Sequence, residues 1–224
     1  MAKYIQEFTT EAAYNTAREN NYIEPWVSLT DSNGDINYNK NTNGREYIDF
    51  GLPSGTLWGD RFLGATNTVS TYPSFFAFGE TETKDTYIAD NYIYGSSSYS
   101  KYNRTDGLDR IEIQDDAANA TWGGNWHIPT TAQIEELVNN CTIDYPNIRT
   151  VRFTSNLNGV TVTFARAGYK TSTDQDWGTS LWIPSSDTDL EHSDPPTWHI
   201  RSFGGLGGWI YQHRYTGFPI WPVC

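Results

Sequence analysis

Thr130-Thr-Ala-Gln133 opens the one strong helical signature beyond residue 44. A threonine followed three residues later by glutamine forms a capping box, and Ile134, Leu137, Val138 and Cys141 fall at the i, i+3, i+4, i+7 spacing of a buried helix face. A weaker helical turn covers Asp115 to Ala120. Elsewhere the pattern is of short strands between turns: TLW (56–58), FFAF (75–78), TVTFARAGY (161–169) and FPIWPV (218–223), with SSSYSKYNRTDG (96–107) as an exposed loop. No repeat of solenoid or propeller length occurs. One main helix among many short strands predicts an α+β domain with few regular elements. Its core must then be filled by large side chains. Aromatics supply them, at 15% of the chain with nine Trp and fifteen Tyr, against a hydrophobic content of only 37%.

The formal net charge is −12 and no run of Lys or Arg stands out, so nucleic acid is excluded as a partner for want of a basic footprint. The stretch MAKYIQEFTTEAAYNTAREN has no apolar signal region, and no segment approaches the ~18 apolar residues of a membrane helix. The chain is expected to stay in the compartment where it is made, without membrane insertion. Cys141 and Cys224 could form one bridge at most and lack metal-site spacing; free, structural thiols are expected in a reducing cytosol.

Residues 1–44 read as a separate module. KYIQEF (3–8) alternates like a short strand, Thr9 or Thr10 can cap a helix through EAAYNTARE, and Asn33-Gly34 between strand-like runs marks a hairpin. Such a module has too small a core to stand alone, and so predicts docking to other proteins or homo-oligomerisation. NKNTNG (39–44) has linker composition, and the main domain spans 45–224.

WGGNWHIPT (122–130) concentrates costly residues. Pro129 ends an extended run, Thr130 caps the helix, and Gly123-Gly124 lets the backbone turn between Trp122 and Trp126, two rings that need burial. His127 lacks a partner Cys, Ser motif or second His. The stretch is therefore expected to be a brace, with Trp58 among the other structural rings.

Chemistry has little support. No G-x-S-x-G elbow is present, and the adjacent carboxylates Asp115-Asp116 and Glu135-Glu136 diverge by ~100° on a helix. SSDTDLEHSD (185–194) gathers Asp187, Asp189, Glu191 and Asp194, but reads as a bare acidic loop; no cofactor or metal is expected. What stands out is an aromatic region from 182 to 215. Trp182, Trp198, His199, Trp209, Tyr211, His213 and Tyr215 offer flat faces, and Asp187 and Asp189 lie beside them as hydrogen-bonding groups, a mixture suited to glycan or protein recognition. Alternation in WIYQHRY places Trp209, Tyr211, His213 and Tyr215 on one side of a strand and Ile210, Gln212 and Arg214 on the other. Trp198, Tyr211 and Tyr215 read more readily as core than as ligand contacts.

YIDFGLPSGTLW (47–58), FFAFGET (75–81), DDAANATWGGNWHIPTTAQIEELVNNCT (115–142), FARAGY (164–169) and GFPIWPV (217–223) resemble, in order, the signature of the Fibrobacter succinogenes major paralogous domain. That resemblance implies a variant of the C-type lectin fold, with terminal strands close together and a ligand surface made of loops near the C-terminal end. The sugar-binding calcium signatures of lectins, Glu-Pro-Asn or Gln-Pro-Asp with Trp-Asn-Asp, do not occur. A formylglycine-generating activity, also found on this fold, would need a reactive cysteine pair. Two departures, Leu181 to Ser186 in place of a serine-rich close and Trp221 in place of an arginine, suggest a rebuilt ligand face.

The family is abundant in gut Bacteroidetes and their phages, and the first forty residues resemble leader segments of phage structural proteins. The expected function is that of a virion structural protein, a head fibre, decoration protein or tail-associated adhesin of a Bacteroides phage, assembled in the host cytoplasm and displaying a domain that binds host-surface glycan or protein. A bacterial surface adhesin of the same family, or a capsid decoration without ligand, are the alternatives.

Overall fold

The computed structural model describes residues 42–70, 72–96, 98–172, 174–176, 180–190, 196–204 and 207–224. Its architecture is α+β and mostly strands. In order these are β1 (Tyr47–Ile48), β2 (Trp58–Gly59), β3 (Phe75–Phe76), α1 (Ala117–Trp122), α2 (Thr131–Asn140), β4 (Cys141–Asn147), β5 (Thr150–Ser155), β6 (Thr161–Ala165), β7 (Tyr169–Thr171), β8 (Asp174–Asp176), β9 (Leu181–Asp189), β10 (Thr197–Phe203), β11 (Gly208–Gln212) and β12 (Phe218–Pro219). Single 3-10 turns lie at Ala89–Asn91 and Ile113–Asp115.

α2 starts as its capping box dictates: Thr130 Oγ1 accepts from the Gln133 N–H at 3.2 Å, and Gln133 Oε1 accepts from the Thr130 N–H at 2.9 Å. Ile134 and Leu137 are buried beneath it. Cys141, assigned from spacing to the helix face, instead opens β4, where it pairs with Ser155. α1 is capped by the buried Asp116, whose carboxylate accepts from the N–H groups of Ala118, Asn119 and Ile128. Both cysteines are free and buried.

Two antiparallel three-stranded sheets, β4-β5-β6 and β11-β10-β9, carry most of the pairing. The second has core on both faces. Trp198, Ile200, Trp182 and Ile210 pack into one cluster with Phe78, Tyr102 and Phe218, while Leu181, Ile183, Phe203 and Trp209 pack into another with Phe153, Phe164 and Trp221. A strand buried on both sides reads as a continuous apolar run rather than an alternating one, which is why LWIPSS was not legible as β9. Trp221 lies at the centre of the second cluster, fully buried, with ring centroids 4.4 Å from Trp58 and 4.4 Å from Phe164. Leu181, Ile183, Ser185, Ser186 and Trp221, where a rebuilt ligand face is expected from the sequence, are thus interior residues, and Trp182 is half-buried.

The C-terminal residues pair with β2 and its neighbour Leu57 and with His127. Trp58 bridges to Val223, Leu57 and Cys224 exchange backbone hydrogen bonds of 2.9 and 2.8 Å, and His127 and Val223 exchange two of 2.9 Å. Trp122 and Trp126 meet edge to face at 4.9 Å, and both are buried. Trp126 Nε1 donates to the Thr42 carbonyl at 2.6 Å, and Asn43 Nδ2 donates to the Trp122 carbonyl at 2.7 Å. Gly123 and Gly124 both have positive φ; a Cβ on Gly123 would meet Asn43 Nδ2 at 2.9 Å, so glycine is required there on two counts. What the brace holds is the incoming chain. Thr42 is fully buried, so the main domain includes residues 42–44 that linker composition had assigned to the preceding module. Residues 1–41, with the strand, helix and hairpin expected there, lie outside the described residues.

Two further expectations change. The 96–107 stretch forms no regular element, yet Tyr99 and Tyr102 are buried, Tyr102 meeting Phe78 and Tyr94 edge to face at 5.3 and 5.5 Å. The run 161–169 is two strands, because Gly168 at φ 71° turns the chain between β6 and β7.

Candidate ligand-binding face

β10 alternates as a half-covered strand should, with Trp198, Ile200 and Ser202 buried and Thr197, His199 and Arg201 half-exposed. Pairing with β11 sets His199 opposite Tyr211 and Arg201 opposite Trp209 on the outward side. The Arg201–Trp209 half of that side is covered: Trp209 Nε1 donates to Glu135 Oε1 of α2, and the Arg201 guanidinium lies over Trp209 at 5.8 Å. The His199–Tyr211 half is open. The two rings meet edge to face at 4.9 Å, and Tyr211 is 59% exposed.

Beyond Gln212 the strand ends, contrary to the seven-residue run expected from alternation. His213 is exposed and lies parallel to Tyr215 at 4.9 Å and 8°, while Arg214 between them points inward and is fully buried. Two aromatic pairs thus follow one another along β11 and its turn, held by strand pairing on one side and by the Arg214 anchor on the other. Rigid flat rings of this kind offer contact area with little side-chain entropy to lose on binding.

β9 is bulged opposite His199. Thr188 pairs with Trp198 and Pro184 with Ile200, leaving Ser185, Ser186 and Asp187 out of the ladder. Their groups are used internally: Trp198 Nε1 donates to Ser185 O at 2.6 Å, Ser186 N–H donates to Pro129 O, Asp187 Oδ2 accepts from the Thr131 N–H at 2.7 Å, and Asp187 Oδ1 pairs with Arg110 Nε at 2.6 Å. Asp187 therefore anchors the start of α2 instead of facing a ligand. Asp189 stands opposite Thr197 at the rim, half-exposed. Desolvation pulls the His199 imidazole below its usual 6.5, against the opposing pull of Asp189 and Asp187.

Of the nine residues expected to bind, then, the structure gathers His199, Tyr211, His213 and Tyr215, with Asp189 at the rim. Trp198 is fully buried against Phe78 and Phe218 and cannot touch a ligand. Trp182 is half-buried on the other face of the sheet beside Tyr169 and Phe218. Trp209 is half-buried and engaged by α2. Among the described residues no group of three or more His, Cys, Asp or Glu is placed to hold a metal; Glu191 and Asp194 lie outside them.

A second concavity escaped the sequence. A groove of about 930 Å³ runs between β1 and β6, with Arg45, Tyr47, Asp60, Arg61, Asn67 and Thr161 among its walls. Its residues come from three separated segments, so no local pattern announces it. Comparison with protein-family models, with curated proteins and with solved structures gives no match to this chain.

Proposed function

We propose that this chain is a virion structural protein of a Bacteroides-infecting phage, a head fibre, decoration protein or tail-associated adhesin, whose C-type-lectin-like domain of the major paralogous family binds a glycan or protein on the host surface. The observation that carries the binding role is the two aromatic pairs His199–Tyr211 and His213–Tyr215, in which Tyr211 and His213 are exposed and His199 and Tyr215 half-buried. Sugar C–H faces stack on such rings, and Asp189 supplies a hydrogen-bonding group at the rim. The adjacency of Thr42 and Val223 to the Trp126–His127 brace is consistent with the terminal strands of that family. The module before Thr42 would attach the domain to other virion proteins and multiply its copies.

Binding to host cells or a glycan array should survive EDTA, and weaken by ~10²–10⁴ when the protein is made monomeric, because weak sites gain through avidity. The double change Tyr211→Ser, His213→Ser should abolish binding with melting unchanged. Full binding by that variant would move the ligand elsewhere. Loss of binding in chelator, restored by Ca²⁺, would return the 187–194 acidic stretch to consideration as a metal site, and no binding to any host surface would leave a purely structural decoration protein.

A further inference from the structure

Outside the aromatic face, three reactive side chains converge at the segment after β3. Glu80 is 4% exposed; its Oε1 accepts from the Ile93 N–H at 3.0 Å, and its Oε2 lies 2.6 Å from Lys84 Nζ with no other polar partner among the described residues. Lys84 Nζ is also 3.3 Å from Asn91 Oδ1. The Asn91 amide is held in place, Nδ2 donating to Thr86 O and Oγ1 at 2.9 and 2.8 Å and Oδ1 accepting from the Ile88 N–H at 3.3 Å. Aromatic rings close the site: the Lys84 ammonium lies 5.4 Å from the Tyr87 ring centre and 5.9 Å from that of Tyr92. An amine, a carboxamide and a buried carboxyl thus share one poorly hydrated space, with Asn91 set in place as the third residue of the 3-10 turn that Ile88 opens.

We propose that Lys84 and Asn91 join through an intramolecular isopeptide bond, formed without other catalysts and with Glu80 as the proton carrier. Glu80 takes a proton from the Lys84 ammonium across the 2.6 Å contact, leaving a neutral amine. The amine lone pair attacks Asn91 Cγ, and a new C–N bond forms as the carbonyl π pair moves to Oδ1. The Ile88 N–H, already directed at that oxygen, stabilises the developing negative charge. Glu80 delivers a proton to Nδ2 and accepts one from the attacking nitrogen. The Cγ–Nδ2 bond then breaks and the departing ammonia takes the proton left on Glu80, so Lys–NH₃⁺ and Asn–CONH₂ become Lys–NH–CO–Asn and NH₄⁺ with the Glu80 carboxylate restored and no oxidant or reductant needed. Fixed placement of amine and amide near reacting distance replaces a bimolecular encounter with an intramolecular one, the largest available source of rate for so poor an electrophile.

The full chain, purified folded, should show an intact mass lower than its sequence mass by one ammonia. Proteolysis before Asp85 and Asp90 cuts the chain twice between the two residues, so a peptide ending in Lys84 should remain joined to the one beginning at Asp90. Lys84→Arg keeps the charge and the ring contacts, and Glu80→Gln keeps the shape; both should read the full sequence mass while near-ultraviolet circular dichroism reports a native fold. Full mass in the folded unaltered protein after prolonged incubation would overturn the proposal. So would an ammonia loss that persists in Lys84→Arg, which would place an imide at Asn91 instead.

Discussion

Arg214 is a fully buried guanidinium with no carboxylate in salt-bridge distance among the described residues. It sits between the rings of Phe78 and Tyr99, 4.7 and 4.6 Å from their centres, and donates to Tyr102 O at 2.8 Å and to Thr188 Oγ1. Burial lowers its pKa from 12.5, but guanidinium remains charged at any working pH. In Arg214→Met the two charge-assisted hydrogen bonds, worth ~1.5–3 kcal/mol each, and two cation–ring contacts, worth ~0.5–2 kcal/mol each, are lost; relief of an ion-burial penalty of several kcal/mol offsets most of this, for a net destabilisation of about 1–3 kcal/mol. Arg214→Lys keeps the buried charge but loses the planar fork, so one of the two acceptors goes unpaired and the cost rises to about 3–5 kcal/mol. Urea unfolding followed by tryptophan fluorescence, with the m-value checked for constancy, gives both numbers. Lysine is thus expected to be the worse replacement although it is the closer in charge. If lysine proved milder than methionine, the fork and its aromatic sandwich would not be what stabilises this cation.

Trp126→Ala should destabilise by roughly 3–5 kcal/mol, as expected for a large ring removed from a core, while His127→Gln leaves melting and host binding unchanged; binding abolished by the histidine change alone would overturn the brace. Because the folded His199 imidazole titrates below 6.5, the unfolded chain binds the proton first on acidification. Stability should therefore fall as pH drops through 6.5 and level off below the folded value, and His199→Gln should flatten the melting-temperature profile over that window. A chain beginning at Thr42 should scatter light as a monomer where the full chain is an oligomer, equal masses counting against an assembly role for the preceding residues. One beginning at Gly44 should melt lower than either, since Thr42 and Asn43 hold the two tryptophans.

Local signals were readable, and long-range cover was not. The α2 cap depends on neighbours within three residues and is where spacing put it, while the turn expected over Asp115 to Ala120 is a helix at Ala117–Trp122. Ser185 to Asp187 looked like an acidic loop because their polar atoms are satisfied by Pro129, Thr131 and Arg110, partners at great sequence distance. Nothing local tells Trp198 from His199: adjacent residues face opposite ways, and only the second core and α2 decide which side is covered. Tyr99 and Tyr102 were misjudged for the same reason, being loop residues by composition and core residues by contact.

Thr42 hangs from Trp126, whose neighbour His127 is laddered to Val223, which in turn is bridged to Trp58. Tension drawn along the chain preceding Thr42 would fall first on Trp126, whose ring belongs to the first core. The Thr42 and Asn43 contacts are few and would release first, letting out a short slack of backbone up to β1. The antiparallel bonds of Leu57, Gly59 and His127 to the C-terminal residues form a set that must shear together, and the aromatic face on β10 and β11 is paired to neither partner in it. A domain tethered this way yields at its attachment like a fuse, and keeps its recognition surface in shape while it does so.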